Sequence, residues 1–328
     1  MQIKPKIFIF ESDLAPMFTA YIEEKHYLGC KYSGIDAYLK SFDNFLVGKD
    51  CKEGISQELM LEWIKPKPHL KATTIEHNIH ILQRFADYLN RNGISAYRIP
   101  SIMIPKRTHD FAPYIFSYEE ISQILAVVDS FKRSKCSPKR HIVYPLLFRV
   151  LSFCGLRISE ALNLKIKDID FNNGCILLTE TKTYRDRLIP LDDNLKERFI
   201  AYRDLMNFIK EDEYFFPAPD GYRYSRATMD TTFREILYKA GIPYQGKGKG
   251  PRLHDLRHTF CVHSLQKLLA SGLEPYAALP VLMIYVGHRS VNATSKYIHL
   301  SAESYPLMLK KMEHLFGNLI PLEGDNDD

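Results

Sequence analysis

Apolar residues recur every three to four positions through two long stretches of the first hundred residues. In YSGIDAYLKSFDNFLV (32–47), Ile35, Tyr38, Leu39, Phe42, Phe45 and Leu46 fall on one stripe, which predicts a helix with one buried face. TTIEHNIHILQRFADYLNRNG (73–93) repeats the pattern with Ile75, Ile79, Leu82, Phe85 and Leu89. Thr73 and Glu76 have the spacing of a capping box, and Gly93 is placed to close the far end. Further helices are expected at 12–27 and near 56–64. The sum is a compact helical bundle with its aromatic residues in the core.

The helical period stops in YRIPSIMIPKRTHDFAPYIF (97–116), which holds Pro100, Pro105 and Pro113. Proline removes backbone donors and disfavours helix in the preceding residue, so an extended connection is expected. This places a helical domain at 1–98, a linker at 99–115 and a second domain at 116–328. The second domain opens on SYEEISQILAVVDS (117–130), where Ser117 and Glu120 again have capping-box spacing. GCILLTETKTYRDRLIPL (174–191) carries β-prone runs at 175–181 and 187–191 around Tyr184, Arg185 and Asp186. That is a hairpin signal. Helices are expected at 193–209, 226–240, 254–271, 275–286, 290–297 and 302–315. The fold class is mainly α, with a small β-hairpin or sheet in the second domain.

Composition narrows the class. A chain of 328 residues suits two domains, and no apolar run approaches the roughly 18–20 residues of a membrane span. The N-terminus shows no signal-peptide cleavage site. The six cysteines form no CxxC or other ligand spacing, which favours reduced thiols over a disulfide framework or a zinc site. A soluble cytoplasmic protein is expected. Net charge is +5, but the tail EGDNDD holds four acidic residues, so the remainder carries +9. Basic residues cluster in IPKRTH (104–109), FKRSKCSPKRH (131–141) and YQGKGKGPRLH (244–254). Each patch alone reads as a solvated face; three together lean towards a polyanionic partner.

Against that background a scattered set of residues stands out. In CGLRISEALNLKIKDIDF (154–171), Arg157 follows a Gly by two positions where a helix begins. The free N–H groups of such a turn favour an anion, and a guanidinium adds two-pronged recognition. The alternative is an arginine paired with a nearby carboxylate such as Glu160. LHDLRHTF (253–260) puts His254 and Arg257 on one helix face about a turn apart, behind a Gly/Lys loop suited to a backbone phosphate. GHRSVNATSKYIHL (287–300) brings His288 and, nine residues later, Tyr297.

In that order, with Lys182 in Thr-Lys-Thr on the hairpin, these motifs resemble the tyrosine recombinase family (phage integrase, Xer-type) over nearly the whole chain. ALPVLMIYVGHRSVNATSKYIHL is similar to integrases of bacterial transposons and other mobile elements. The resemblance implies an N-terminal helical core-binding (SAM-like) domain and a mixed α/β catalytic domain. It also assigns roles: Arg157 and Arg257 as the catalytic arginines, Lys182 as the hairpin lysine, His254 and His288 as the catalytic histidines, and Tyr297 as the nucleophile. Arg185 or Lys167 can approach the same phosphate as Lys182.

The chemistry is consistent with those types. A phosphodiester gains charge on its non-bridging oxygens in the five-coordinate transition state, and two guanidiniums stabilise that charge. A tyrosine hydroxyl is only about a thousandth ionised at neutral pH, so it needs a positive field and a proton acceptor, for which His254 is the candidate. Lys182 is the candidate acid for the leaving 5′ oxygen. The implied product is a 3′-phosphotyrosyl link, formed without metal, ATP or other cofactor. Two rounds through a Holliday junction exchange two duplexes carrying specific sites, with four protomers on DNA and accessory proteins as further partners. SAESYPLMLKKMEHLFG (301–317) is expected to dock on a neighbouring protomer or to pack on its own domain. Lys106, Arg107, Lys247, Lys249 and Arg252 are the candidate phosphate contacts. Three rivals remain: a type IB topoisomerase, a non-cutting DNA-binding regulator on the same fold, and a metal-dependent transposase.

Overall fold

The computed structural model describes residues 8–29, 34–65, 70–105, 112–179, 186–244, 246, 250–288 and 290–302, without the side chains of residues 292, 299, 301 and 302. Lys106, Arg107, Lys182, Arg185, Lys247, Lys249 and the segment 303–317 lie outside the described residues. The chain divides into two compact units, Met1–Phe111 and Ala112–Asp328.

The first unit packs α1 (Ala15–Tyr27), α2 (Ile35–Leu46), α3 (Gln57–Ile64) and α4 (Ala72–Arg91). The short strands β1 (Gly54–Ile55) and β2 (Ser95–Ala96) pair in parallel. Both stripes face the core: Leu39, Phe42 and Leu46 from α2 meet Ile79, Leu82, Phe85 and Leu89 from α4. Phe18 stacks on Phe85 at 4.3 Å between ring centres. Each such ring contributes about 1.5–3 kcal/mol by leaving water. Trp63 keeps its indole N–H satisfied by donating to the Tyr38 hydroxyl at 2.9 Å. One expectation fails. α4 starts at Ala72 with Lys71 as its cap, so Thr73 lies inside the helix and makes no capping box; Ala72 is a strong helix former and extends the helix past it. At the far end Gly93 sits at positive φ just beyond the last turn.

The second unit opens with α5 (Tyr118–Asp129), capped as expected by Ser117 and Glu120, each accepting the other's backbone N–H. Next come α6 (Arg140–Phe153), α7 (Ile158–Asn163), β3 (Ile169–Asp170), β4 (Cys175–Leu178) and β5 (Arg187–Pro190). The predicted hairpin strands pair antiparallel, with Leu178 opposite Arg187, and β3 extends them into a three-stranded sheet ordered β3-β4-β5. The helices α8 (Asp193–Met206), α9 (Arg226–Lys239), α10 (Asp255–Ala270), α11 (Pro275–Val286) and α12 (Asn292–Ala302) complete the unit. α12 runs as one helix through the break expected between 297 and 302. One core gathers α5 to α9 and the sheet; a second, smaller cluster lies between α10, α11 and α12. The second cluster includes Tyr297.

Candidate active site

The first arginine is held by the turn that precedes α7. Gly155 has φ of +59°, and a β-carbon there would lie 2.2 Å from the Phe260 ring, so only glycine lets the turn close against α10. The turn presents Arg157 at the start of α7. Glu160, one turn on, accepts the Arg157 backbone N–H at 2.8 Å and its Nη1 at 2.6 Å. The other prong of Arg157, Nη2, donates to the Gly287 carbonyl at 3.2 Å. The carboxylate pairing weighed as an alternative is therefore real, but it engages only one prong.

Arg257 comes from α10 and is almost fully buried. It donates to the Gly155 carbonyl at 2.7 Å and the Val286 carbonyl at 2.5 Å, and its Nη1 lies 3.9 Å from Glu160. Two arginines a hundred positions apart thus meet at one carboxylate and one loop, 286–287. A third guanidinium joins them. Arg187, at the start of β5, clasps Glu160 with both Nη atoms at 2.8 and 3.2 Å. Three cations against one anion leave two positive charges in excess, which suits an incoming phosphate. Burial raises the Glu160 carboxyl, but the hydrogen bond and charge of Arg187, with Arg157, outweigh it and hold the group ionised.

The imidazoles and the tyrosine adjoin this cluster. His254 caps α10 and stands edge-on to His258 at 4.7 Å. His288 follows Gly287, its Nδ1 2.9 Å from the Thr294 hydroxyl, and its ring lies nearly parallel to Tyr297. Burial first, then the nearby arginines, pushes His254 down to about 4 and His288 to about 3. Burial, His254 and Lys296 push His258 likewise to about 3. All three rings are neutral at pH 7.

Tyr297 is 1% exposed. Its hydroxyl is 2.9 Å from Nδ1 of His258, not from His254, and the Cys261 thiol is a further hydrogen-bond neighbour. Burial and Cys261 push its pKa up, so the free protein holds it as an inert phenol. Lys296 sits over its ring at 5.1 Å. Of the phosphate-contact candidates, Arg252 is described: half-exposed, with an ion pair to Asp255 at 3.2 Å.

Sequence reasoning missed Arg187, His258 and Lys296. Arg187 shares the inward face of β5 with Ile189, and a charge at an inward position of a strand was the available signal. His258 lies four residues after His254, on the same helix face.

Residues 115–304 match the model of the phage integrase family. The chain belongs to that family. This recombinase is 29% identical over 273 residues to a tyrosine recombinase of Pseudothermotoga lettingae, covering 80% of this chain and 84% of that one. Its fold is similar to the Tn1549 transposon integrase in complex with transposon right end DNA (TM-score 0.63, 18% identity, 91% of this chain and 99% of that). It is also similar to the XerH site-specific recombinase in a post-cleavage complex with palindromic difH (TM-score 0.61, 21% identity, 86% and 78%). As a family member the recombinase is a DNA strand transferase that recombines specific sites through a covalent protein–DNA intermediate. Among the described residues no helix is long and apolar enough to cross a membrane.

Proposed function

We propose that this recombinase cuts DNA by attack of Tyr297 on a phosphodiester clamped by Arg157 and Arg257. The observation that carries the reading is the convergence of those two guanidiniums on Glu160 and the 286–287 carbonyls, beside His288 and Tyr297. The phosphate's non-bridging oxygens displace part of that lining and take up the excess charge, most strongly in the transition state. The Tyr297 oxygen bonds to phosphorus while the bond to the 5′ oxygen breaks. The tyrosine proton passes to a neutral imidazole, His254 or its neighbour His258, and the 5′ oxygen takes a proton from Lys182. Attack by a 5′ hydroxyl of a second strand reverses the step, without metal, ATP or cofactor. Because Tyr297 is stowed against His258 in the free protein, binding of DNA must draw the hydroxyl towards the phosphate.

Two rounds on two duplexes, with four protomers, give exchange through a Holliday junction. The Tn1549 and XerH relatives, solved with transposon-end and difH DNA, favour a DNA duplex as partner. In this reading residues 1–98 grip DNA, 99–115 link, and 116–328 carry the chemistry. Lys106, Arg107, Lys247, Lys249 and Arg252 contact phosphates. Accessory recombination proteins are further partners, and the work is cytoplasmic.

The test is covalent capture from a randomised library of nicked suicide duplexes, with and without EDTA. Wild type is expected to form an adduct insensitive to EDTA, and Tyr297→Phe is expected to bind the captured duplex but form none. An adduct in Tyr297→Phe would remove Tyr297 as nucleophile, and loss of activity in EDTA would favour the metal-dependent rival.

A further inference from the structure

We propose that Arg187 is a positioning residue for strand transfer: it offsets the charge of Glu160 so that the positive charge of Arg157 and Arg257 is left over for phosphate, and it seats the turn that carries His288. This rests on the reading of Arg157 and Tyr297 above.

Position is the first ground. Arg187 opens β5 opposite Leu178 and alternates inward with Ile189. An inward guanidinium on a short strand is strongly unfavourable for stability unless paired, and an apolar residue would pack there at less cost. The side chain is 7% exposed, and its Nε is buried without a hydrogen-bond partner among the described residues. A residue kept solely for packing has no need of such a charge.

Charge is the second ground. Glu160 is 8% exposed and lies 2.6 Å from Arg157. Facing Arg157 alone, a buried carboxylate would neutralise it and compete with the phosphate for its donors. The two-pronged clasp of Arg187 gives the carboxylate a cation of its own and fixes its plane. Glu160 then orients Arg157 without cancelling its charge.

Contact with the Gly-His turn is the third. A β-carbon built on Gly287 would lie 2.7 Å from Nη1 of Arg187. The guanidinium thus packs directly on the backbone whose carbonyl receives Arg157 and whose next residue is His288. Arg187 joins the return strand of the hairpin to both catalytic turns.

The experiment measures single-turnover cleavage and DNA affinity on the duplex captured by wild type, for Arg187→Met, Arg187→Lys, Glu160→Gln and the two double variants with Glu160→Gln. Arg187→Met is expected to bind DNA within about threefold of wild type and to cleave about 30-fold or more slower, a smaller effect than the roughly 100- to 1000-fold of losing a transition-state donor outright. Adding Glu160→Gln removes the uncompensated carboxylate and recovers about fivefold or more of the loss. A purely structural role would instead make the double variant slower than either single one. Where Arg187→Met fails to fold, Arg187→Lys carries the same comparison, because it keeps the charge but cannot span both oxygens. Wild-type cleavage by the Arg187 variants, or multiplying losses in the double variants, overturns the proposal. Absence of any wild-type adduct would instead overturn the underlying reading of Tyr297.

Discussion

Each unit encloses a carboxylate, and the two are used differently. Asp43 in α2 is fully buried and accepts the backbone N–H groups of Glu11 and Ser12 and the ammonium of Lys40. Burial raises it, and the Ser12 hydroxyl, together with these donors, more than offsets that and keeps it ionised. Its partners are two backbone N–H groups ahead of α1 and one ammonium on its own helix, and its charge is met by one cation. Glu160 gathers three guanidiniums from three separate elements and leaves positive charge in excess. A closed network stabilises its surroundings and has nothing left to bind. An over-supplied one is costly by itself and is completed by an anion from outside.

The largest expected effect breaks the second network. Arg257→Ala should slow suicide-substrate cleavage by about 100- to 1000-fold, measured in single turnover on protein shown to be folded. A rate near wild type would mean that the guanidinium cluster is structural, like Asp43.

The converse change is Asp43→Ala, expected to cost about 2–4 kcal/mol of stability by stranding two backbone N–H groups and leaving a cavity beside them. Urea unfolding measures the loss. The cleavage rate per folded molecule should be unchanged, and a slowed rate would show that the first unit's network reaches the chemistry.

The smallest effect separates the units by pH. His254 and His258 have folded values near 4 and 3, below the roughly 6.5 of an unfolded histidine. The unfolded chain therefore binds more protons in that interval, so stability is full above about pH 6.5 and falls as pH drops towards 4. Asp43 is also held below its ordinary value, but that value is an aspartate's, so its contribution is kept until pH falls below the usual aspartate range. Between pH 6.5 and 4.5, hydrogen-exchange protection should decline in α10 before α4, equivalent to about 3–5 °C per pH unit for each such histidine in the melting of the catalytic unit. Equal decline in both would remove the buried histidines as the cause.

Legibility in the sequence followed the same division. The first unit's helices were readable because α2 and α4 each have one apolar face, and the capping box of α5 is a purely local signal. α6 was missed. Its residues Val143, Tyr144, Leu146, Leu147, Phe148, Val150 and Leu151 are buried on nearly all sides, and Pro145 lies within it, so no one-sided period survives. The two-residue strands β1 and β2 are too short to carry a pattern. In the site, the motif arginines, histidines and tyrosine were singled out because their order along the chain resembles a family's. Arg187 was not, since its role exists only when β5 meets α7 and the 286–287 turn. The partner of the Tyr297 hydroxyl escaped for a related reason: His254 and His258 share a helix face, and only the approach of α12 selects between them.

The bare α-carbon of Gly155 against the Phe260 ring couples two distant parts of the second unit. Any side chain at position 155 must either push that ring aside or shift the bend that offers Arg157, so the seating of α10 and the placing of the guanidinium cannot be altered separately there.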